Sequence, residues 1–199
     1  MRYANGDVYE GEYTAGLSEG RGVERWADGD VYEGEYKAGE KEGRGIYRWA
    51  NGNVYEGEYK AGEKEGRGVF RWADGRVYEG EWKTGEYEGR GIMRYADGDV
   101  YEGEWKAGKY EGRGVTRYAD GTVDSCLYKP GTWSREGVFF LWRFYQEGVR
   151  WEADGRRAAR LYDDEEEEEI SLEEARQTAE RLGLPIPSPL PSASEGEKF

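Results

Sequence analysis

Tyr55-Glu56-Gly57-Glu58-Tyr59, then Gly66-Arg67-Gly68, then Arg71-Trp72-Ala73-Asp74-Gly75: these three strings decide how the chain is read. They return every 23 residues. Tyr9, Tyr32, Tyr55, Tyr78 and Tyr101 each open a Tyr-Glu-Gly-Glu-aromatic string. Gly22, Gly45, Gly68, Gly91 and Gly114 hold the second landmark, and Gly6, Gly29, Gly52, Gly75, Gly98 and Gly121 the third. A fixed period of this size marks a repeat architecture, in which each unit is one supersecondary element stacked on its neighbours. The chain opens within a repeat, because Arg2-Tyr3-Ala4-Asn5-Gly6 matches the close of a unit.

Within a unit the signal is alternation. Residues two apart share a face of a strand. Tyr9, Gly11 and Tyr13 therefore point one way, and Val8, Glu10 and Glu12 the other. An antiparallel partner across a loop from Thr14 to Glu19 puts rings and glycines on one face. Glu10 and Glu12 then face Arg21 and Arg25 on the other. Glycine inside a strand marks close approach or a bulge. Beside Tyr or Trp in every repeat, it suggests rings stacked over glycine, with a plain bulge as the alternative. Asp28-Gly29 and Asn51-Gly52 are hairpin-turn signals, and they pass the chain to the next hairpin. The expected fold is all-β: an elongated, twisted, single-layer antiparallel meander of stacked β-hairpins, with a short C-terminal helix and a disordered tail.

Composition narrows the function. Only 36% of residues are hydrophobic, much of that Tyr and Trp, and 32 are Gly, too little aliphatic bulk for a two-layer core. The net charge is −14. From Asp163 onward twelve acids meet three bases, a net of −9, so the repeats are almost balanced. An acidic chain argues against nucleic acid, which needs a basic surface. One cysteine, Cys126, forms no intrachain disulfide, and the absence of histidine removes the commonest general base and zinc ligand. No signal peptide is visible after Met1. The expectation is a cytoplasmic protein, associated with cytoskeleton or membrane, that is not an enzyme and takes no cofactor or metal.

The period breaks after residue 123. Asp124-Ser125-Cys126-Leu127-Tyr128 stands where Tyr-Glu-Gly-Glu-Trp is due. Gly155 falls 34 residues after Gly121, eleven beyond one period. This marks an insertion carrying Phe139, Phe140, Trp142, Phe144 and Tyr145. It is read as a cap on the open end of the stack or as an interaction surface. Residues 1–123 thus hold the repeats, 124–162 a degenerate capping repeat, and 163–199 an acidic run, a helix and a Pro/Ser-rich tail. The run Asp163 to Glu169 reads as a solvated spacer. Ser171-Leu172-Glu173-Glu174 is a capping box that opens an amphipathic helix over about 171–182. Gly183 and Pro185 stop it.

The unit Tyr-Glu-Gly-Glu-[Tyr/Trp]-x-x-Gly-x-x-x-Gly-x-Gly, closing on Asp-Gly, resembles the MORN (membrane occupation and recognition nexus) repeat. The resemblance spans five copies from Tyr9 to Gly121 and a weaker sixth to Gly155. It implies a twisted sheet with a groove and a scaffolding role in flagella, division structures or membrane junctions. Phosphoinositide binding, dimerisation and capture of a partner helix are further implications. The family commonly has His before the first Gly of Gly-x-Gly; here Glu19, Glu42, Glu65, Glu88 and Glu111 stand there.

Three function classes follow. A protein-binding scaffold would use an aromatic groove for a helix or extended peptide. Its candidate residues are Trp26, Trp49, Trp72, Tyr95 and Tyr118, with Tyr36, Tyr59, Trp82 and Trp105 from the first strands. The competing role for these rings is the core itself. Self-association is a further expectation. A membrane-surface module would use Lys37, Lys41, Lys60, Lys64, Lys83, Lys106 and Lys109, read as loop residues, against phosphoinositides. Adjacent Glu40, Glu42, Glu63 and Glu65 offset them. An enzyme is disfavoured, because the paired carboxylates alternate with arginines and no pair stands out.

Overall fold

A computed structural model describes residues 1–132, 145–162 and 167–186. Two compact units divide the chain, Met1–Ala96 and Asp97–Phe199. The first is a meander of eight antiparallel strands: β1 (Val8–Thr14), β2 (Leu17–Arg25), β3 (Val31–Lys37), β4 (Glu40–Arg48), β5 (Val54–Lys60), β6 (Glu63–Arg71), β7 (Val77–Lys83) and β8 (Glu86–Arg94). The second holds β9 (Val100–Lys106), β10 (Lys109–Arg117), β11 (Val123–Thr132), β12 (Tyr145–Trp151), β13 (Ala158–Tyr162), β14 (Glu167–Ile170) and helix α1 (Leu172–Leu182). In each, strands pair in chain order. The single-layer hairpin meander is the fold expected from the period.

The turns are distributed differently from expectation. The stretch read as a loop from Thr14 to Glu19 is almost all strand. The chain reverses on two residues, Ala15-Gly16, both with positive φ, at +51° and +85°. Ala61-Gly62 does the same at +49° and +81°. A two-residue turn of this kind matches the right-handed strand twist. The Asp-Gly positions form wider, three-residue loops. Trp72 N–H donates to the Arg76 carbonyl at 3.0 Å, and Gly75 N–H to the Trp72 carbonyl at 3.1 Å. Here only the glycine takes positive φ, +96° at Gly75.

Stacking and bulging both occur, on different glycines. Gly57 pairs with Gly68 across β5 and β6, and the Tyr55 ring covers both. The Tyr55 hydroxyl donates to the Glu58 carbonyl at 3.0 Å, which holds the ring flat. The bulge sits at Gly66, where φ is +65° and the register shifts between Gly57 and Glu58. Glu58 does not answer an arginine side chain. Its Oε1 accepts from the Arg67 backbone N–H at 3.4 Å, inside the bulge. The other carboxylate of the string does pair as expected, with Arg25–Glu10 at 3.0 Å and Arg71–Glu56 at 3.8 Å. Exposed pairs of this type contribute only a few tenths of a kcal/mol to ~1 kcal/mol.

Neighbouring hairpins are also tied turn to turn. Glu19 Oε2 accepts from Ala38 N–H at 2.9 Å, Glu42 from Ala61 at 3.0 Å, and Glu65 from Thr84 at 3.0 Å. These are the positions where the family commonly has His. On the opposite edge Asp30 Oδ1 accepts from Ala50 N–H at 2.8 Å and Asn53 Oδ1 from Ala73 at 2.9 Å.

The second unit builds an ordinary apolar core. Helix α1 begins on the capping box Ser171/Glu174 and ends on Gly183 in the left-handed region. Its Ala175 and Ala179 pack on Val149, Trp151 and Ala158, with Leu172 and Leu182 at the margin. By register, Val149 and Trp151 lie on the face opposite the rings, so the helix covers the face that is charged elsewhere. The acidic run is not all spacer. Glu167–Ile170 is an edge strand on β13, because Arg150 meets Glu167 at 2.7 Å and Arg160 meets Glu168 at 3.7 Å. Arg150 also grips buried Asp124 through Nε at 2.7 Å and Nη2 at 2.8 Å. Phe139, Phe140, Trp142 and Phe144, and the tail beyond Ile186, lie outside the described residues. Tyr145 opens β12 opposite Tyr128.

Candidate partner-binding lane

Two aromatic layers run along the ring face of the first unit. The inner one is a herringbone. Tyr36 meets Tyr9 and Tyr32 edge-on, both at 5.2 Å; Tyr59 meets Tyr32 at 5.3 Å and Tyr55 at 5.2 Å; Trp82 meets Tyr55 at 5.1 Å and Tyr78 at 5.2 Å. Edge-to-face contacts add roughly 0.5–1.5 kcal/mol each beyond burial. Tyr36, Tyr59, Trp82 and Trp105 are only 3–6% exposed. These four candidates belong to the core, because each ring fills the gap beside a first-strand tyrosine. Trp82 Nε1 donates to the Gly68 carbonyl at 3.2 Å, and the Tyr36 hydroxyl donates to Glu24 at 3.0 Å.

The outer layer is half-buried at Trp26, Tyr47, Trp49 and Trp72 and closed only at Phe70. Trp26 stacks on Tyr47 at 5.3 Å, Tyr47 touches Trp49 at 4.4 Å, Trp49 touches Phe70 at 5.2 Å, and Phe70 touches Trp72 at 4.5 Å. The tryptophans come from the Asp-Gly loops, and Tyr47 and Phe70 from β4 and β6. Tyr95 and Tyr118 occupy the corresponding position later in the chain and are half-buried too. Tyr118 gives its hydroxyl to Asp124 at 3.1 Å. The structure thus separates two sets that the alternation placed together.

Two lysines sit among these rings. Lys41 Nζ lies 4.4 Å from the Tyr47 ring centre, 5.0 Å from Trp26 and 5.2 Å from Tyr32. Lys64 Nζ lies 4.7 Å from Phe70 and from Trp82, and 5.5 Å from Trp49 and Tyr55. Neither is a loop residue; they pair with Tyr36 and Tyr59 inside the hairpins. The same position holds Tyr87 and Tyr110, stacked on Tyr78 at 4.0 Å and Tyr101 at 3.6 Å. The Lys-to-Tyr exchange at one repeat position was the available signal for a ring-face slot. Burial lowers Lys41, with Glu24 and Asp30 opposing, and brings Lys64 down to about 8. Burial likewise raises the phenols of Tyr36 and Tyr59.

Among the described residues no cluster of side chains could hold a metal ion, and no helix is long and apolar enough to cross a membrane.

A single sheet that buries rings on glycine and repeats on one hairpin defines a class of repeat protein. The MORN repeat matches at residues 9–31, 32–54, 55–75, 78–100 and 101–123, more than half of the chain, and the protein belongs to that family. No curated protein matches it. Among solved structures, the chain is similar to the TCP domain of Drosophila melanogaster SAS-4 (dCPAP), in complex with a proline-rich motif of Ana2 (dSTIL). Identity is 14%, coverage 85% of this chain and 81% of that one, and TM-score 0.43. It is also similar to the G-box domain of the microcephaly protein CPAP, at 16% identity, 85% and 96% coverage and TM-score 0.44. The TCP10 domain of Danio rerio CPAP with a STIL peptide gives 16%, 85% and 81%, and 0.41.

Proposed function

We propose that the protein is a non-catalytic scaffold that binds a helix or extended segment of another protein along the first unit's lane of Trp26, Trp49, Trp72 and Tyr95. The observation that carries this reading is the outer layer. Its tryptophans are preorganised by stacking and still only half-buried, whereas the inner layer already satisfies the fold. Rigid aromatic anchors are what interface hot spots use, since they lose little entropy on binding. Such a scaffold would organise a cytoskeletal or membrane-associated assembly. The phosphoinositide alternative loses two of its seven lysines, Lys41 and Lys64, to the ring layer. The test is affinity capture from source-organism lysate with the intact chain and with Trp49→Gln/Trp72→Gln. The expected result is a partner retained by the intact chain and lost by the variant while circular dichroism stays unchanged. Equal retention by both removes the lane from the function.

A further inference from the structure

The two caged ammonium groups are chemically unequal. Lys41 has carboxylates nearby: the charges of Glu24 and Asp30 act on it. One repeat later the positions of Glu24 and Asp30 are filled by Tyr47 and Asn53. Both are neutral. The carboxylate charge felt by Lys64 is that of Glu63, its exposed chain neighbour, which by strand alternation points to the other face. Four rings surround Lys64 where three surround Lys41.

A desolvated ammonium is costly unless it is paired. Rings offset part of that cost, by ~0.5–2 kcal/mol for a cation over an aromatic face. They leave the net charge in place. Tyrosine would suit the slot without it, as Tyr87 and Tyr110 show by stacking in the equivalent places. At Lys64 the lane therefore carries a positive charge held among Trp49, Phe70 and Trp82, without the two carboxylates that act on Lys41.

Resting on the lane proposed above, we infer that the segment it takes is acidic: an Asp or Glu carboxylate, set between apolar residues, docks on Lys64. Charge complementarity at one buried point selects among partners more than it adds affinity. Glu24 and Asp30 at the preceding repeat reject the same carboxylate there, which fixes where along the lane it sits.

The experiment is selection of a random twelve-residue peptide display library on the full chain, followed by measured affinities of the selected peptides. Three variants are used. Lys64→Tyr copies a residue the fold already accepts at this position, so it keeps the stack. Lys41→Tyr is the matched change where carboxylates remain. Trp49→Gln/Trp72→Gln reports whether a peptide uses the lane at all. The expected result is enrichment of Asp or Glu flanked by apolar residues, with affinity falling tenfold or more on Lys64→Tyr and less than threefold on Lys41→Tyr. Replacing the peptide's acid by its amide should have the same effect as Lys64→Tyr. Lane-dependent peptides without acidic enrichment, or indifferent to Lys64→Tyr, overturn the inference and leave the lane standing. Peptides indifferent to the tryptophan variant, or no selected peptide at all, overturn the lane itself, and this inference with it.

Discussion

Tyr55 lies so close over Gly68 that a Cβ there would stand 2.4 Å from its hydroxyl oxygen and 2.6 Å from Cε2 and Cζ. The same relation joins Tyr32 to Gly45 and Tyr78 to Gly91. Gly68 takes no positive φ, so its requirement is for space alone. Gly68→Ala must lift the ring off the sheet, breaking its hydroxyl bond to Glu58 and its edge contacts with Tyr59 and Trp82. Overpacking of this kind costs about 1–3 kcal/mol. Urea unfolding of Gly68→Ala should show that loss. An unchanged midpoint would mean that the ring is not seated on glycine.

Ala61 is the opposite case, a residue with room but the wrong backbone. Its φ of +49° costs an L side chain roughly 1–2 kcal/mol. Asn tolerates this region, and it is favoured in two-residue hairpin turns. Ala61→Asn should raise stability by about 0.5–1 kcal/mol. Thr84, β-branched at φ +47°, should gain more from Thr84→Asn. Thermal melts of the two variants and their double mutant check both effects.

Lys64 makes stability depend on pH with a definite sign. Its folded value, about 8, lies below the ordinary 10.5. Between them the unfolded chain holds more protons, so stability rises with pH across that window. Below pH 8 the penalty is fully present. The tyrosines act the other way: burial holds their folded values above 10, so stability falls once unfolded phenols ionise. Denaturation midpoints should therefore peak near the alkaline end, at roughly pH 9–10. Lys64→Tyr should abolish the rising limb.

Asp124 and Arg150 form a buried ion pair in the second unit, their side chains 4% and 11% exposed. Removing one partner of such a pair costs about 3–5 kcal/mol. Asp124→Ala should loosen β12 through β14 together, because Arg150 also holds Glu167. Hydrogen exchange in that unit should accelerate more than in β3 to β6.

The parts of this molecule legible in the chain are those set by period and alternation. The 23-residue spacing fixed the hairpins, Gly57 and Gly68 their close approach, and Ser171 with Glu174 the helix start. The Ala-Gly turns were hidden, since alanine is not a residue that advertises positive φ. The strand at Glu167–Ile170 was hidden because a run of acids looks solvated until the arginines across from it are placed. Lys41 and Lys64 read as loop residues only while the reversal is placed across the longer stretch equivalent to Thr14–Glu19. Once the reversal is put at Ala-Gly, both fall within strands. The division of the aromatics into stacked first-strand rings and more reachable second-strand Trp and Tyr positions is legible in the repeat; the herringbone that buries the first set required coordinates. Tyr59 lies within β5, whereas Trp49 lies in the loop after β4.

The carboxylates that reach from one hairpin to the next all point the same way along the chain. Glu19 receives the turn of β3–β4, Glu42 that of β5–β6, and Glu65 that of β7–β8. During synthesis each acceptor is therefore already in place when the turn that needs it emerges. The stack can be laid down in the order of translation, each finished hairpin acting as a template for its successor.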